Sequence, residues 1–123
     1  MNYIIIEESK MEMIEERDDR IYEFKAGIFK VLGDVNRIKI IEFLRDGEKC
    51  QCEIIPLLNQ SQPTVSRHLS LLEDAGLIDS KRERNRTIYR IVDERVFNII
   101  DSLNDELIRR ISHRVVSKVS PFH

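Results

Sequence analysis

The chain has 123 residues, enough for one domain with a modest core. Four glycines and three prolines leave few positions for long loops, so helices should dominate. No apolar run reaches membrane-spanning length and the first residues hold no basic leader, which predicts a cytoplasmic protein with unbridged thiols. The net charge of −2 gives no general attraction for nucleic acid, so any such site must be local.

Apolar residues at helical spacing predict a first helix over residues 12–32, ended by Gly33. Asp34 is placed to cap a second helix. A third, short helix should begin near Glu53, because Pro56 lacks the N–H that an interior turn needs and is tolerated only in a first turn. Three helices are therefore predicted in the first half of the chain.

A fourth helix follows a tight turn, with Ser61 as its cap, Pro63 in its first turn and Gly76 at its end. Its apolar positions recur on one side, so that side should face the core. The opposite side carries polar side chains without an acid: Gln62, Thr64, Ser66, Arg67 and Ser70. Two short helices joined in this way predict a helix-turn-helix over residues 53–75.

Two extended runs, LIDSKR and RTIYRIV, predict a β-hairpin over residues 78–92. Five bases and one acid fall within residues 81–90, which makes a local basic stripe on a nearly neutral protein. We interpret the hairpin as a wing beside the helix-turn-helix. The tip has no glycine, and we expect Asn85 to adopt the positive φ there.

A long last helix is predicted over residues 94–117. Its apolar stripe consists of Val96, Ile100, Leu103, Leu107, Ile111 and Val115. The first and last helices lie outside the compact winged part and need cover, which pairing across a two-fold axis supplies. The predicted fold is mainly α with a small β-hairpin. It is a single winged helix-turn-helix domain over residues 1–123, homodimeric through helices 12–32 and 94–117.

The polar side of the fourth helix and the basic hairpin together suit double-stranded DNA. Gln62 and Arg67 have the groups that read base edges in the major groove. Phosphate contacts are predicted for Ser61, Thr64, Ser66, Arg82, Arg84 and Arg86. The alternative is a solvated surface. The sequence has no Gly-rich phosphate loop, no acid pair with a nucleophile and no zinc-hydrolase spacing, which argues against an enzyme.

Four segments follow one another over about residues 24–92: FKVLGDVNRIKIIEFL, KCQCEI, SQPTVSRHLSLLEDAGLI and RTIYRI. In this order they resemble the ArsR/SmtB (arsenical-repressor) family of metal-sensing transcriptional repressors. The resemblance implies a homodimeric winged-helix repressor that requires no cofactor and releases its operator when a metal or metalloid binds. In the arsenic- and antimony-responsive members, the thiols at the place of Cys50 and Cys52 form the inducer site.

The cysteine pair alone is weak evidence, since free cysteine is often a small buried hydrophobe. Cys50 and Cys52 lie beside Lys49 at a predicted helix mouth, which favours thiolates and a soft-ion site. The arsenic sensors of the family add a third thiol where this chain has Ile55. The inducer therefore stays open between As(III) or Sb(III) and Cd²⁺ or Zn²⁺. The alternative is a winged-helix transcription regulator that is metal-independent or senses thiol redox state.

The chain has three histidines, which are the other candidates for metal ligands. His68 lies beside the core stripe, and we expect it to pack there and hydrogen-bond to the backbone. His113 and His123 are expected to be solvated. Some relatives bind zinc between their last helices through an Asp-x-His…His pattern. Here Leu103 stands two positions after Asp101, which predicts that this zinc site is absent.

Overall fold

The computed structural model describes residues 18–119. Within these residues the chain forms six α-helices, a 3-10 turn at Leu44–Asp46 and three short strands. The helices are α1 (Asp18–Leu32), α2 (Val35–Phe43), α3 (Gln51–Leu58), α4 (Gln62–Asp74), α5 (Arg95–Asp101) and α6 (Asp105–Val119). The strands are β1 (Lys49–Cys50), β2 (Ile78–Glu83) and β3 (Arg86–Ile91). The predicted class, mainly helical with a small hairpin, is confirmed; residues 12–17 of the predicted first helix lie outside the described residues.

Two predicted helix caps are confirmed. The Asp34 carboxylate accepts hydrogen bonds from the backbone N–H groups of Asn36 at 2.8 Å and Arg37 at 3.1 Å. Burial acts to raise the pKa of Asp34, but the hydrogen bond from the Arg37 backbone and the charge of Arg37 outweigh it and lower the pKa below 3.8. At α4, the Ser61 hydroxyl accepts from the Thr64 N–H at 3.3 Å. Each cap satisfies backbone donors that the helix itself cannot.

Helix α3 begins at Gln51, two residues before the predicted start at Glu53. Cys50 is its N-cap, and the backbone N–H of Cys50 donates to the Glu53 carboxylate at 3.1 Å. Pro56 therefore lies inside the helix, where it fails to donate to the carbonyl of Cys52. The early start holds because one missing hydrogen bond is offset by the cap interactions of the first turn.

The hairpin closes at the pair Glu83↔Arg86 and leaves Arg84 and Asn85 as a two-residue turn. The positive φ, 60°, is at Arg84, so the expectation that Asn85 adopts it is wrong. In a two-residue hairpin loop, the first turn position must take a positive φ for the turn to match the right-handed twist of the strands. The register places Arg84 at that position.

A third strand, absent from the sequence predictions, completes the sheet in the order β1–β3–β2. Both neighbouring pairs are antiparallel, and β1 pairs with β3 through Lys49↔Tyr89 and Cys50↔Ile88. A strand of two residues is too short to show an alternating pattern, so periodicity could not reveal it. Its pairing ties the entrance of α3 to the wing.

The predicted single helix over residues 94–117 is wrong, because a break after α5 divides it into α5 and α6. The Ser102 hydroxyl donates to the carbonyl of Asn98 at 2.7 Å. On the other side of the break, the Asn104 side chain accepts from the N–H of Leu107 at 2.9 Å. Short polar side chains compete for backbone groups in this way and favour helix ends over a continuous helix.

The core lies between the C-terminal end of α1, the helices α2, α3, α4 and α5, and the sheet. Its most deeply buried side chains are Ile40, Ile41, Ile54, Val65, Leu69, Leu72 and Ile78. The inward stripe predicted for α4, Val65, Leu69 and Leu72, is confirmed. Among the described residues, no helix is both long enough and apolar enough to cross a membrane. The core thus fixes α4 and the wing relative to each other.

Candidate nucleic-acid interface and cysteine pair

Helices α3 and α4 form the helix-turn-helix, and Asn59 ends α3 in the left-handed conformation with a φ of 53°. Asparagine tolerates that conformation, which lets the chain turn tightly into α4. The two predicted base readers, Gln62 and Arg67, are exposed on α4. Within the described residues neither side chain forms an ion pair, so both can reach a partner molecule.

The predicted hydroxyl contacts differ in their surroundings. The Ser61 hydroxyl donates to the Thr64 hydroxyl oxygen at 2.9 Å, and both oxygens lie at the exposed start of α4. Ser66 is half-buried instead, and its hydroxyl oxygen accepts from the side-chain amide of Gln51 at 2.8 Å. This hydrogen bond links α3 to α4. The predicted contact of Ser66 with a DNA phosphate stays a prediction. Gln51 was missed, because its only sequence signal is its place between two cysteines.

The predicted wing arginines lie at or near the tip of the hairpin. Arg82 is directed across the strands, where its guanidinium donates to the Thr87 hydroxyl at 2.9 Å. Arg84 occupies the turn, and Arg86 begins β3. All three arginines are exposed, which leaves guanidinium donors free for phosphate oxygens. Their contact with the phosphates of a DNA backbone stays a prediction.

The two cysteines are joined in a disulfide across one residue, with their Cα atoms 5.1 Å apart. The expectation of an unbridged pair is not met. Cys50 is only 2% exposed, whereas Cys52 lies on the surface, so a burial role fits Cys50 better than the sequence suggested. Cys50 is buried because its pairing with Ile88 of β3 directs it into the core. The first turn of α3 then brings Cys52 beside Cys50.

A surface cleft of about 250 Å³ joins the cysteine pair to the predicted DNA contacts. Its lining comes from β1, α3, α4 and the wing: Cys50, Gln51, Cys52, Ile55, Gln62, Arg82, Asn85, Arg86 and Thr87. Ile55, which stands where the arsenic sensors have a third thiol, lines the same cleft. The structure thus brings both cysteines, one predicted base reader and two predicted wing contacts into one concave surface.

The described residues contain no group of three or more His, Cys, Asp or Glu side chains arranged to hold a metal ion. The cleft offers two sulfurs, and the chain has no other cysteine. Once the disulfide is reduced, two thiolates suit a soft, thiophilic ion. Among the described residues that line the cleft, no further sulfur, imidazole or carboxylate stands beside them.

His68 is confirmed as a packing residue, although its partner is a side chain rather than the backbone. The Arg37 guanidinium lies 3.1 Å from His68 Nδ1, and the Asp34 carboxylate lies 4.0 Å from the same nitrogen. Arginine can only donate, so Nδ1 accepts this hydrogen bond. Arg37 also donates to the carbonyl of Val31 at the end of α1. Sequence reasoning missed Arg37, which links α1, α2 and α4.

Of the residues near the C-terminus considered for a zinc site, the structure describes Asp101 and His113. Asp101 accepts two hydrogen bonds from Arg45, at 2.8 and 3.0 Å, and this ion pair holds α5 to the 3-10 turn that follows α2. His113 lies on α6 and is exposed. His123 lies outside the described residues, so its solvated state stays a prediction.

Residues 34–80, which span α2 to the start of β2, match the family described as "Bacterial regulatory protein, arsR family". A helix-turn-helix-type transcriptional regulator of Methanocaldococcus jannaschii is 45% identical over 87 residues, which are 70% of this chain and 97% of that protein. The arsenical resistance operon repressor of Staphylococcus aureus is 32% identical over 97 residues, which are 79% of this chain and 91% of that protein.

A solved structure also matches much of the chain. It is the homodimeric winged helix-turn-helix DNA-binding domain of a possible ArsR-family transcriptional regulator from Mycobacterium bovis. The two folds superpose with a TM-score of 0.68 at 28% identity, over 76% of this chain and 90% of that one. The winged helix-turn-helix architecture is therefore shared, and the resemblance seen in the sequence motifs is confirmed.

Proposed function

Because the chain belongs to the arsR family of bacterial regulatory proteins and folds as a winged helix-turn-helix DNA-binding domain, we propose that it is a homodimeric repressor whose operator is released when a thiophilic ion binds Cys50 and Cys52. The proposed inducers are As(III) or Sb(III), and otherwise Cd²⁺ or Zn²⁺. The observation that carries this proposal is the shared cleft, where the two cysteines lie against the start of α4 and the wing.

In the proposed complex, α4 enters the major groove and the wing lies along the neighbouring backbone. Gln62 and Arg67 read base edges, and Arg82, Arg84 and Arg86 contact phosphates. The hydroxyls of Ser61 and Thr64 sit at the N-terminus of α4, where a phosphate is favoured by backbone N–H groups and the helix dipole. A two-fold dimer then requires a roughly palindromic operator, with half-sites about 34–36 Å apart.

The proposed dimer uses α1 and α6, the outer helices. Large apolar side chains on both helices remain exposed in the single chain, among them Phe24, Phe29, Leu107, Ile111 and Val115. Cover by a second copy removes that surface from water, and the homodimeric state of the Mycobacterium bovis domain supports this arrangement. The two recognition helices would then face the same side of the dimer.

The proposed inducer site acts through Cys50, whose backbone belongs to two elements at once. Cys50 pairs with Ile88 of the wing strand β3 and is also the N-cap of α3. An ion bound by both reduced sulfurs must hold them about 4 Å apart, because each metal–sulfur bond is about 2.3 Å long. Adjusting the pair therefore shifts the wing and α3 together. A change costing the DNA complex about 2–3 kcal/mol would lower operator affinity roughly 30- to 150-fold.

The test compares the wild type with Cys52→Ser and with Cys50→Ser/Cys52→Ser. Operator binding is followed by fluorescence anisotropy in reducing buffer while As(III), Sb(III) or Cd²⁺ is added. Both variants should bind the operator as the wild type does and fail to release it. Cys52 is exposed, so its single substitution leaves the core intact and guards against loss of folding at the buried Cys50. His113→Ala serves as a matched control and should release normally.

Release of operator by both cysteine variants at the wild-type ion concentration would refute the thiol-ligand mechanism. A second candidate, favoured by the disulfide between Cys50 and Cys52, is a thiol-redox regulator that needs no metal. Under that function, oxidation and reduction alone would change operator affinity in metal-free buffer. Measurement of both redox forms in the presence of a chelator separates the two functions.

A further inference from the structure

We propose that the cleft at the cysteine pair selects trivalent arsenic ligands carrying a negatively charged substituent, with Arg82 and Arg86 holding that charge. The inference rests on the proposed function, because it requires reduced Cys50 and Cys52 to bind arsenic. It adds the class of ligand: an organic arsenical with an anionic group, rather than the bare ion.

The sulfur side of the cleft leaves trivalent arsenic incompletely bound. Cys50 and Cys52 supply two sulfurs when reduced, while Ile55, which lines the same cleft, has no donor atom. The chain has no other cysteine, so a third sulfur cannot come from the same subunit. A ligand that brings its own third bond to arsenic, such as an aryl–arsenic bond, needs no further protein donor. The volume of about 250 Å³ lies just below the ~300–1,000 Å³ of pockets for drug-sized molecules, so a small arsenical fits.

The opposite side of the cleft is cationic. Arg82 and Arg86 line it with the amides of Gln62 and Asn85, and the described residues that form the lining include no carboxylate. The hydrogen bond from Arg82 to the Thr87 hydroxyl uses one guanidinium nitrogen and holds that side chain in place. Its remaining donors, and those of Arg86, suit a carboxylate or similar anion, which arginine binds with charge-assisted hydrogen bonds.

A charged ligand would also act directly on DNA binding. Arg82 and Arg86 are the same side chains proposed to contact operator phosphates, and Gln62 is proposed to read a base. An anion held between the two arginines competes with phosphate for them, in addition to any shift of the wing. Neutralising phosphate contacts lowers affinity for all DNA sequences alike. An anionic arsenical should therefore release the operator at lower occupancy than a neutral one.

The binding step is a ligand exchange at arsenic without electron transfer. An arylarsonous acid, R–As(OH)₂, reacts with the two thiols to give R–As(S–Cys)₂ and two water molecules. Two As–S bonds form, two As–O bonds break, and each thiol proton leaves with a hydroxide as water. Arsenic stays trivalent throughout. The dithiol is obtained beforehand from the disulfide with a phosphine and water, which yields two thiols and the phosphine oxide; the phosphine is then removed.

The experiment uses reduced full-length protein without DNA and two probes, phenylarsine oxide and its para-carboxylate derivative. Dissociation constants are measured in competition with dithiothreitol. The ratio of the two constants is divided by the ratio for dithiothreitol itself, which removes the intrinsic effect of the carboxylate on arsenic. The corrected preference of the wild type for the carboxylated probe should be about 3- to 10-fold, as expected for partly exposed ion pairs.

The double variant Arg82→Gln/Arg86→Gln should bring the corrected preference to about one. Arg90→Gln is the matched control, because Arg90 lies on β3 with Arg86 but does not line the cleft. Its guanidinium pairs with the Asp79 carboxylate at 3.3 Å. It should keep the wild-type preference. A wild-type preference near one, or a preference unchanged in the double variant, overturns the inference while leaving the proposed function intact. Failure of both probes to bind the reduced protein overturns both.

Discussion

The inner elements of this chain, α2 to α5 and the sheet, bury large apolar side chains, whereas the outer helices α1 and α6 leave large apolar side chains exposed. In α2 and α4, residues such as Ile40 and Leu69 are completely buried, at 0% exposure. In α1 and α6, large apolar residues stay open to solvent, from 39% at Leu107 to 72% at Phe24. The inner elements therefore carry a core of their own, whereas the outer helices do not.

The difference predicts that the outer helices depend on self-association for their stability. Helix α6 has 15 residues, and an isolated helix of that length is marginal in water. Its exposed apolar stripe gains free energy only when another surface covers it. Stability of the inner elements should therefore be independent of concentration, and stability of the outer helices should not.

Leu69→Ala should destabilise the inner region the most. Leu69 is fully buried in α4, and deleting such a side chain leaves a cavity that costs about 3–5 kcal/mol. The free energy of unfolding is measured by urea denaturation at several protein concentrations. Leu57→Ala is the control, since Leu57 is 41% exposed on α3 and should cost less than about 1 kcal/mol. Equal losses at both leucines would contradict a single inner core.

The double substitution Leu107→Glu/Ile111→Glu should disrupt the proposed dimer contact on α6 and leave the buried core intact. Placing two charges on the apolar stripe of α6 should weaken self-association at least about 100-fold, or about 2.7 kcal/mol. Sedimentation equilibrium gives the dissociation constant, and Arg109→Glu on the same helix is the control for added negative charge. If the double variant keeps the molecular mass of the wild type, α6 is not the dimer contact.

Arg67→Ala should change sequence preference, whereas Arg84→Gln should change only general affinity. Loss of a base contact should cost about 1–3 kcal/mol on the best operator and flatten the preference among operator variants. Loss of one phosphate contact should weaken all sequences and reduce the slope of log affinity against log salt by about 0.9. Anisotropy titrations over a salt series measure both quantities. An unchanged preference in Arg67→Ala would exclude Arg67 as a base reader.

Asp34→Ala should give the smallest effect and one that depends on pH. Loss of the cap of α2 should cost about 0.5–2 kcal/mol at neutral pH. The pKa of Asp34 is lowered below 3.8 in the folded protein, so its stabilisation is present above that pH and is lost as the pH falls through the folded pKa. Urea denaturation at about pH 7 and about pH 2.5 should therefore show the cost shrinking in acid.

The Asp34→Asn variant separates the two contributions of that side chain. Asparagine keeps a capping oxygen but carries no charge, so its cost should be smaller than that of alanine and nearly independent of pH. A cost of Asp34→Ala that stays constant from neutral to acid pH would show that the charge of Asp34 does not stabilise the fold.

Much of the fold was predictable because its signals are local. The caps at Asp34 and Ser61 and the buried stripe of α4 depend on residues within about one or two turns of each other. The same locality explains two errors, at the start of α3 and at the break after α5. At the start of α3, the Glu53 side chain caps the helix earlier than the position of Pro56 suggested. After α5, the Asn104 side chain caps a new helix where the apolar spacing predicted a continuous one.

The candidate site was predictable in its parts and not in its assembly. Gln62, Arg67 and the wing arginines are exposed where the sequence placed them. The burial of Cys50 and the hydrogen bond from Gln51 to Ser66 were not foreseen. Both depend on a two-residue strand and on the packing of α3 against α4, and neither leaves a periodic trace in the sequence.

By itself, the sequence determined the order of helices and hairpin, the caps, the inward side of α4 and the family to which the chain belongs. Tertiary structure alone decided that the cysteine pair shares a cleft with Gln62, Arg82 and Arg86. Caps and periodicity act between neighbours along the chain, so they can be read from it. The cleft joins residues far apart in the chain, and its shape follows from the register of β1 on β3 and from the buried core beneath α4, which exist only once the chain has folded.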